Sequence, residues 1–155
     1  MYLFLRDYAF DIVRREYYQR IEPCGGDLIA RYSQAALRKM ELFERYPQLF
    51  EFLKGYVVEE SAEVSEENKK KSEEMMAEGY SHLLEGIDQS LFRGDIPADK
   101  VKDIIIWAIE GYGNRAMAQA RQTNLGKIDL KAATDDFDSY LDVLRRCFYN
   151  CGGAL

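Results

Sequence analysis

Histidine is almost missing from this chain: His82 is the single imidazole in 155 residues. A Ser-His-Asp or Cys-His mechanism would have one candidate base and no nucleophile elbow to go with it. A di-metal helical bundle needs two Glu-x-x-His motifs, and the sequence offers only Glu78-x-x-x-His82, with the wrong spacing. There is no phosphate-binding loop and no dinucleotide fingerprint; Gly111-x-Gly113 inside a helical pattern is not one. No catalytic residue, metal site or cofactor is expected, and an enzyme is the weaker hypothesis.

Other scarcities narrow the class further. The three cysteines are odd in number and lack framework spacing, which points to a reducing compartment. Cys147 and Cys151 would share a helix face, yet no nearby His or further Cys completes a tetrahedral site, so unpaired thiols are expected. No apolar run approaches the ~20 residues of a membrane helix; the longest, Ile104 to Ile109, is far too short. The opening Met1-Tyr2-Leu3-Phe4-Leu5 is broken at once by Arg6 and Asp7, a poor signal peptide, and the expected location is cytoplasmic without a membrane partner. A net charge of −6 argues against direct grip on a phosphate backbone, which needs clustered Lys and Arg. Sustained period-two alternation and Asn-Gly or Asp-Gly turns are absent too, so the expected fold is all-α in one domain.

What the chain does have is helical periodicity with clear punctuation. Leu5, Ala9, Ile12, Val13, Tyr17 and Ile21 predict a helix over 2–22, ended by Pro23 and Gly25-Gly26. Asp27 opens a second helix to about Tyr46, striped by Leu28, Tyr32, Ala36, Met40 and Phe43. Pro47 cannot continue that helix but suits the first turn of the next, over 47–60, where its missing donor is not needed. The corner from Leu42 to Leu53 therefore reads as a packing hub. A long helix over 66–93, with Ser65 as its N-cap, carries Met76, Tyr80, Leu83, Ile87 and Leu91 at core spacing. Gly79 and Gly86 beside them each cost ~1 kcal/mol against alanine in a helix. They imply close packing of another helix or room for a ligand.

Pro97 starts a helix to about Gln122, apolar nearly all round at Ile104–Ile109 and therefore expected to be buried on more than one side. A last helix over 129–150, capped by Asp129, has a broad apolar face. Gly113, Ala116, Met117 and Ala120 on the first, with Phe137, Tyr140, Leu141, Leu144 and Phe148 on the second, give more apolar surface than one bundle needs. They predict a homodimer through these two helices.

The segment Phe43-x-x-Tyr46-Pro47-x-Leu49-Phe50, the Gly94-Asp95-Ile96 turn before a helix bearing Glu110-Gly111-Tyr112, and the terminal amphipathic helix resemble the C-terminal domain of TetR-family transcriptional regulators. Leu3, Tyr8, Ala9, Ile12 and Val13 are similar to the family's connecting helix. The resemblance covers essentially the whole chain, with loose motifs, and implies an antiparallel bundle of about six helices. It also implies a small hydrophobic or amphipathic effector held by residues of four helices, Tyr32, Met40, Phe50, Met76, Tyr80, His82 and Trp107. Such regulators read DNA through an N-terminal helix-turn-helix that this sequence lacks, so DNA would be reached only through a module not present here. The function so implied is ligand sensing and dimerisation in a repressor, with movement at 47–60 passed to 2–22. A stand-alone helical binding or interaction protein is the alternative.

Overall fold

A computed structural model describes residues 2–57, 62–122 and 129–151. Among them six α-helices form an all-α bundle: α1 (Tyr2–Glu16), α2 (Leu28–Arg45), α3 (Pro47–Val57), α4 (Ala62–Leu84), α5 (Ala98–Gln122) and α6 (Leu130–Phe148). No strand occurs in the described residues, only an isolated bridge between Phe92 and Tyr149. None of the described helices is long and apolar enough to cross a membrane.

Capping chemistry fixes several boundaries. The Asp27 side chain accepts from the Ala30 N–H at 3.1 Å, and Asp129 accepts from the Ala132 N–H at 3.1 Å, each satisfying a donor that its helix cannot. At the proline corner the Tyr46 N–H still bonds to the Leu42 carbonyl, at 2.8 Å, and α3 begins one residue later at Pro47. Leu42, Phe43 and Leu49 are buried there, so the corner packs as the sequence implies.

Two long helices end earlier than their periodicity predicts. α1 stops at Glu16, and Tyr18–Arg20 forms a tight 3-10 turn instead of continuing to residue 22. α4 starts at Ala62, which puts Ser65 inside it rather than at its cap, and ends at Leu84. Gly86 lies beyond that end at φ +66°, a left-handed conformation that suits glycine, so it is a stop signal and not a packing residue. The carbonyls left open there are held by Arg31 of α2, whose guanidinium is buried and donates to Leu83 O at 3.0 Å, to Glu85 O, and to Pro23 O at 3.1 and 2.6 Å. The cation also complements the negative end of the α4 dipole.

The core lies around α2. Leu28, Ile29, Tyr32, Met40 and Phe43 pack with Val101, Ile105 and Ile109 of α5 and Phe137 of α6. A smaller cluster, Ala9, Ile12, Val13, Leu42 and Leu49, seats α1 on the proline corner. At the other end, the Tyr149 hydroxyl donates to Asp27 Oδ1 at 2.7 Å and accepts from the Ile29 N–H at 3.0 Å, while Arg145 pairs with Asp27 Oδ2 at 2.8 Å. The start of α2 is thereby tied to the end of α6.

Candidate functional site

The short turn after α1 shapes one wall of a cleft. Leaving the helix at Tyr17 lays the Tyr18 ring on Gly79 of α4, where a β-carbon would meet the ring far inside contact distance. Gly79 is therefore needed by a neighbouring side chain rather than by another helix backbone. Tyr17 and Tyr18 pack with ring centroids 4.7 Å apart. Between this turn and helices α2 to α5 lies a space of about 230 Å³ with an apolar floor of Val13, Leu42, Leu53, Met75, Met76 and Leu83.

Its polar rim is Tyr17, Tyr18, Tyr80, Lys39 and Glu110. The Tyr80 hydroxyl donates to Glu110 Oε1 at 3.1 Å. Lys39 makes no hydrogen bond or ion pair with any described residue; burial pushes its pKa down, and the Glu110 carboxylate opposes that. Burial raises the pKa values of Tyr17, Tyr18, Tyr32 and Tyr80, and Glu110 adds to the rise at Tyr17, Tyr32 and Tyr80. These hydroxyls remain protonated donors at neutral pH. The Tyr32 hydroxyl, wholly buried, has no hydrogen-bond partner among the described residues.

Of the seven residues expected to surround an effector, the six whose side chains are described do not converge. Met76 and Tyr80 line this cleft. Tyr32 and Met40 are buried core residues of α2 and do not line it. His82 is exposed and borders a separate hollow with Ile21, Glu22, Pro23, Arg31 and Glu85. Trp107 is 66% exposed on the outer side of α5, because Ile105 and Ile109, and in part Ile106, are the residues of that apolar run that turn into the bundle. The Phe50 side chain lies outside the described residues. Periodicity puts Tyr17 on a core stripe and passes over Tyr18, Lys39 and Glu110, with Met76, Gly79 and Tyr80 as the sequence signals near them.

A second concavity, about 650 Å³, runs between α5 and α6. Ala108, Gly111, Tyr112, Ala116, Tyr140 and Val143 line it, and Tyr112 stacks on Phe137 at 4.7 Å while its hydroxyl donates to Asp136 Oδ2 at 2.9 Å. Of the residues expected at a dimer contact, Met117, Ala120, Phe137 and Leu141 are buried within the chain itself, and Gly113 is buried too. Leu144 and Phe148 are half-buried against the same core. Tyr140 remains open and lines the groove with Val143, while Ile104 and Trp107 are exposed elsewhere on α5. The α6 face is thus covered by α2 and α5 more fully than the sequence suggests, and the bare strip is narrower and displaced toward α5.

Among the described residues no group of three His, Cys, Asp or Glu side chains could hold a metal ion. No protein-family model, curated protein or solved structure matches this chain.

Proposed function

We propose that this chain binds a small amphipathic effector and self-associates, as the regulatory part of a TetR-like transcriptional repressor that the effector releases from DNA. The observation that carries the ligand-binding half is the cleft bounded by the Tyr17–Tyr18 turn, with an apolar floor and, at its rim, Lys39, which makes no hydrogen bond or ion pair with any described residue. A site with an apolar body and few convergent polar groups is the usual form of a small-molecule pocket. The likeness of the proline corner and flanking helices to TetR regulators supplies the link to DNA.

Self-association is supported by the bare apolar strip on α5 and α6. Ile104, Trp107, Tyr140 and Val143 are exposed large apolar side chains, and a β-carbon on the exposed Gly111 would meet nothing within 4 Å. A twofold contact through this strip would let two α5–α6 pairs approach closely and bury the exposed rings. An effector acts only by its difference in affinity between two arrangements, and the Tyr18 turn, which touches α4 and ends α1, is the element that would differ.

Two measurements test this. Light scattering on the purified chain at tens of micromolar should give the mass of a dimer, and a monomer would remove the self-association half. The reading frame upstream of Met1 should encode a helix-turn-helix; a frame without one would make this a stand-alone helical binding protein.

A further inference from the structure

We infer that the Lys39 amine is a covalent site: within the Tyr17–Tyr18 cleft it condenses with a small apolar aldehyde to form a Schiff base. This rests on the ligand-binding reading above and specifies how the ligand is held.

A lysine drawn out of water normally has a partner. Lys39 instead lines a cleft floored by Leu42, Leu53, Met75 and Leu83, and it makes no hydrogen bond or ion pair with any described residue. Burial disfavours the ammonium and outweighs the opposing Glu110 carboxylate, so the pKa lies below the usual lysine value. At neutral pH more of this nitrogen therefore carries a free electron pair than on a surface lysine. An amine in apolar surroundings without a counter-ion in contact is the form in which lysine attacks a carbonyl.

The rest of the cleft suits the product. The nitrogen pair bonds to the aldehyde carbon, and the carbonyl oxygen takes up a proton as the nitrogen gives one away. The carbinolamine then loses that oxygen as water, leaving C=N where C=O had been. R–CHO and the lysine amine give R–CH=N–lysine and water, with nothing oxidised or reduced. The protonated imine is a cation, and Glu110 is the one carboxylate among the described residues lining the cleft to balance it. The same carboxylate would repel an anionic ligand. Glu110 and the Tyr80 hydroxyl, joined by a hydrogen bond of 3.1 Å, are groups of this cleft able to take the proton from nitrogen and return it to the departing water.

Size limits the aldehyde. About 230 Å³ corresponds to roughly eight waters at ~30 Å³ each, room for one ring or a short alkyl chain. Met75 and Met76 give the apolar end a wall that adapts to either shape.

The test treats the full chain with 3-phenylpropanal and sodium cyanoborohydride at pH 7, which reduces the imine to a stable secondary amine. Intact mass and peptide mapping read the product. An adduct with the mass of the aldehyde less one oxygen should form on Lys39 about tenfold or more faster than on the exposed Lys100 and Lys131, because the cleft holds the aldehyde beside the amine. Lys39→Arg keeps the cation but cannot form an imine. It should lose the fast adduct and keep the helical circular dichroism of the parent, with Lys39→Met as the second variant if arginine disturbs the fold. 3-Phenylpropanol fills the same space without a carbonyl, so in excess it should slow labelling of Lys39 several-fold and leave Lys131 untouched. Labelling of Lys39 no faster than of Lys131, fast labelling that the alcohol does not slow, or a fast adduct that survives both substitutions overturns the Schiff-base assignment. Isothermal titration calorimetry with 3-phenylpropanol keeps that failure apart from the wider one. An alcohol that binds where no fast adduct forms leaves the cleft a reversible ligand site, whereas neither binding nor labelling removes the support for effector binding as well.

Discussion

Replacing Gly79 by alanine tests whether the wall of the cleft is built as described. In an ordinary helix interior the change stabilises by about 1 kcal/mol, because glycine carries the larger backbone entropy loss. Here the new β-carbon would fall on Tyr18 Cε1, Cζ and the hydroxyl, well under the 3.0 Å that real β-carbons respect. These atoms are the far end of a side chain, so the ring swings away instead of breaking α4. Lifting one ring face off the helix exposes roughly 40–60 Å² of carbon, costing about 1–1.5 kcal/mol. The gain and the loss nearly cancel, so Gly79→Ala alone should be neutral to about 0.5 kcal/mol destabilising. In a Tyr18→Ala background the obstacle is gone, and the same substitution should stabilise by about 1 kcal/mol. The coupling across this double-mutant cycle, about 1–1.5 kcal/mol, is measurable by urea unfolding with linear extrapolation. Near-ultraviolet circular dichroism of the paired Tyr17–Tyr18 rings should weaken in the single variant. If Gly79→Ala stabilises equally in both backgrounds, the ring does not lie on Gly79 and the cleft loses its wall.

Three other outcomes follow from contacts described above. Arg31→Met should destabilise by about 3–5 kcal/mol in urea, since it strips donors from the Pro23, Leu83 and Glu85 carbonyls, and Arg31→Lys should recover only part, having no fork. Burial works to raise the Asp27 pKa, but the Tyr149 hydroxyl, the Ala30 N–H and Arg145 outweigh it and hold the carboxyl below the usual value. Its contribution to stability is therefore complete above about pH 4, the unfolded value, and is lost as pH falls through the lower folded value. Asp27→Asn and Tyr149→Phe should each lower stability at neutral pH and flatten the acid limb, read by thermal melts from pH 7 downward. For self-association, Trp107→Glu or Val143→Glu should reduce the light-scattering mass to a monomer with unchanged helical content, while Lys131→Glu should not. A dimer that survives both charges would place the contact elsewhere.

Four helix starts were legible because they are local chemistry, whereas α4, expected after Ser65, begins at Ala62. Asp27, Pro47, Pro97 and Asp129 mark those four within a residue or so, and each acts on backbone groups of its own first turn. The ends were less so. α1 gives way to a 3-10 turn whose Tyr18 ring rests on α4, a tertiary contact, and α4 closes on carbonyls that only Arg31 of another helix can satisfy. The fold class followed from the period of the apolar residues. For the cleft, periodicity found Met76 and Tyr80 but passed over Lys39 and Glu110, since a charged residue beside a stripe reads as solvated surface until a partner helix covers it. Trp107 fails in the opposite sense. The apolar run around it suggested burial on more than one side, yet large apolar side chains are often left outside when the helix turns its other face inward.

The Arg31 clasp has a mechanical side. It fixes α4 at its C-terminal end, while sixteen residues back Arg6 of α1, itself buried, reaches Glu67 at 3.2 Å and Asn68 at 3.4 Å. At 1.5 Å of rise per residue, Tyr80 lies about 6 Å from the clasp and Asn68 about 24 Å. Were α4 to pivot as a rigid rod at Leu84, its lever ratio would be roughly four. A molecule that pushes Tyr80 outward by half an ångström would carry Asn68 about 2 Å, enough to part it from Arg6. The fulcrum, the load point and the output sit on one helix, and the output falls on α1.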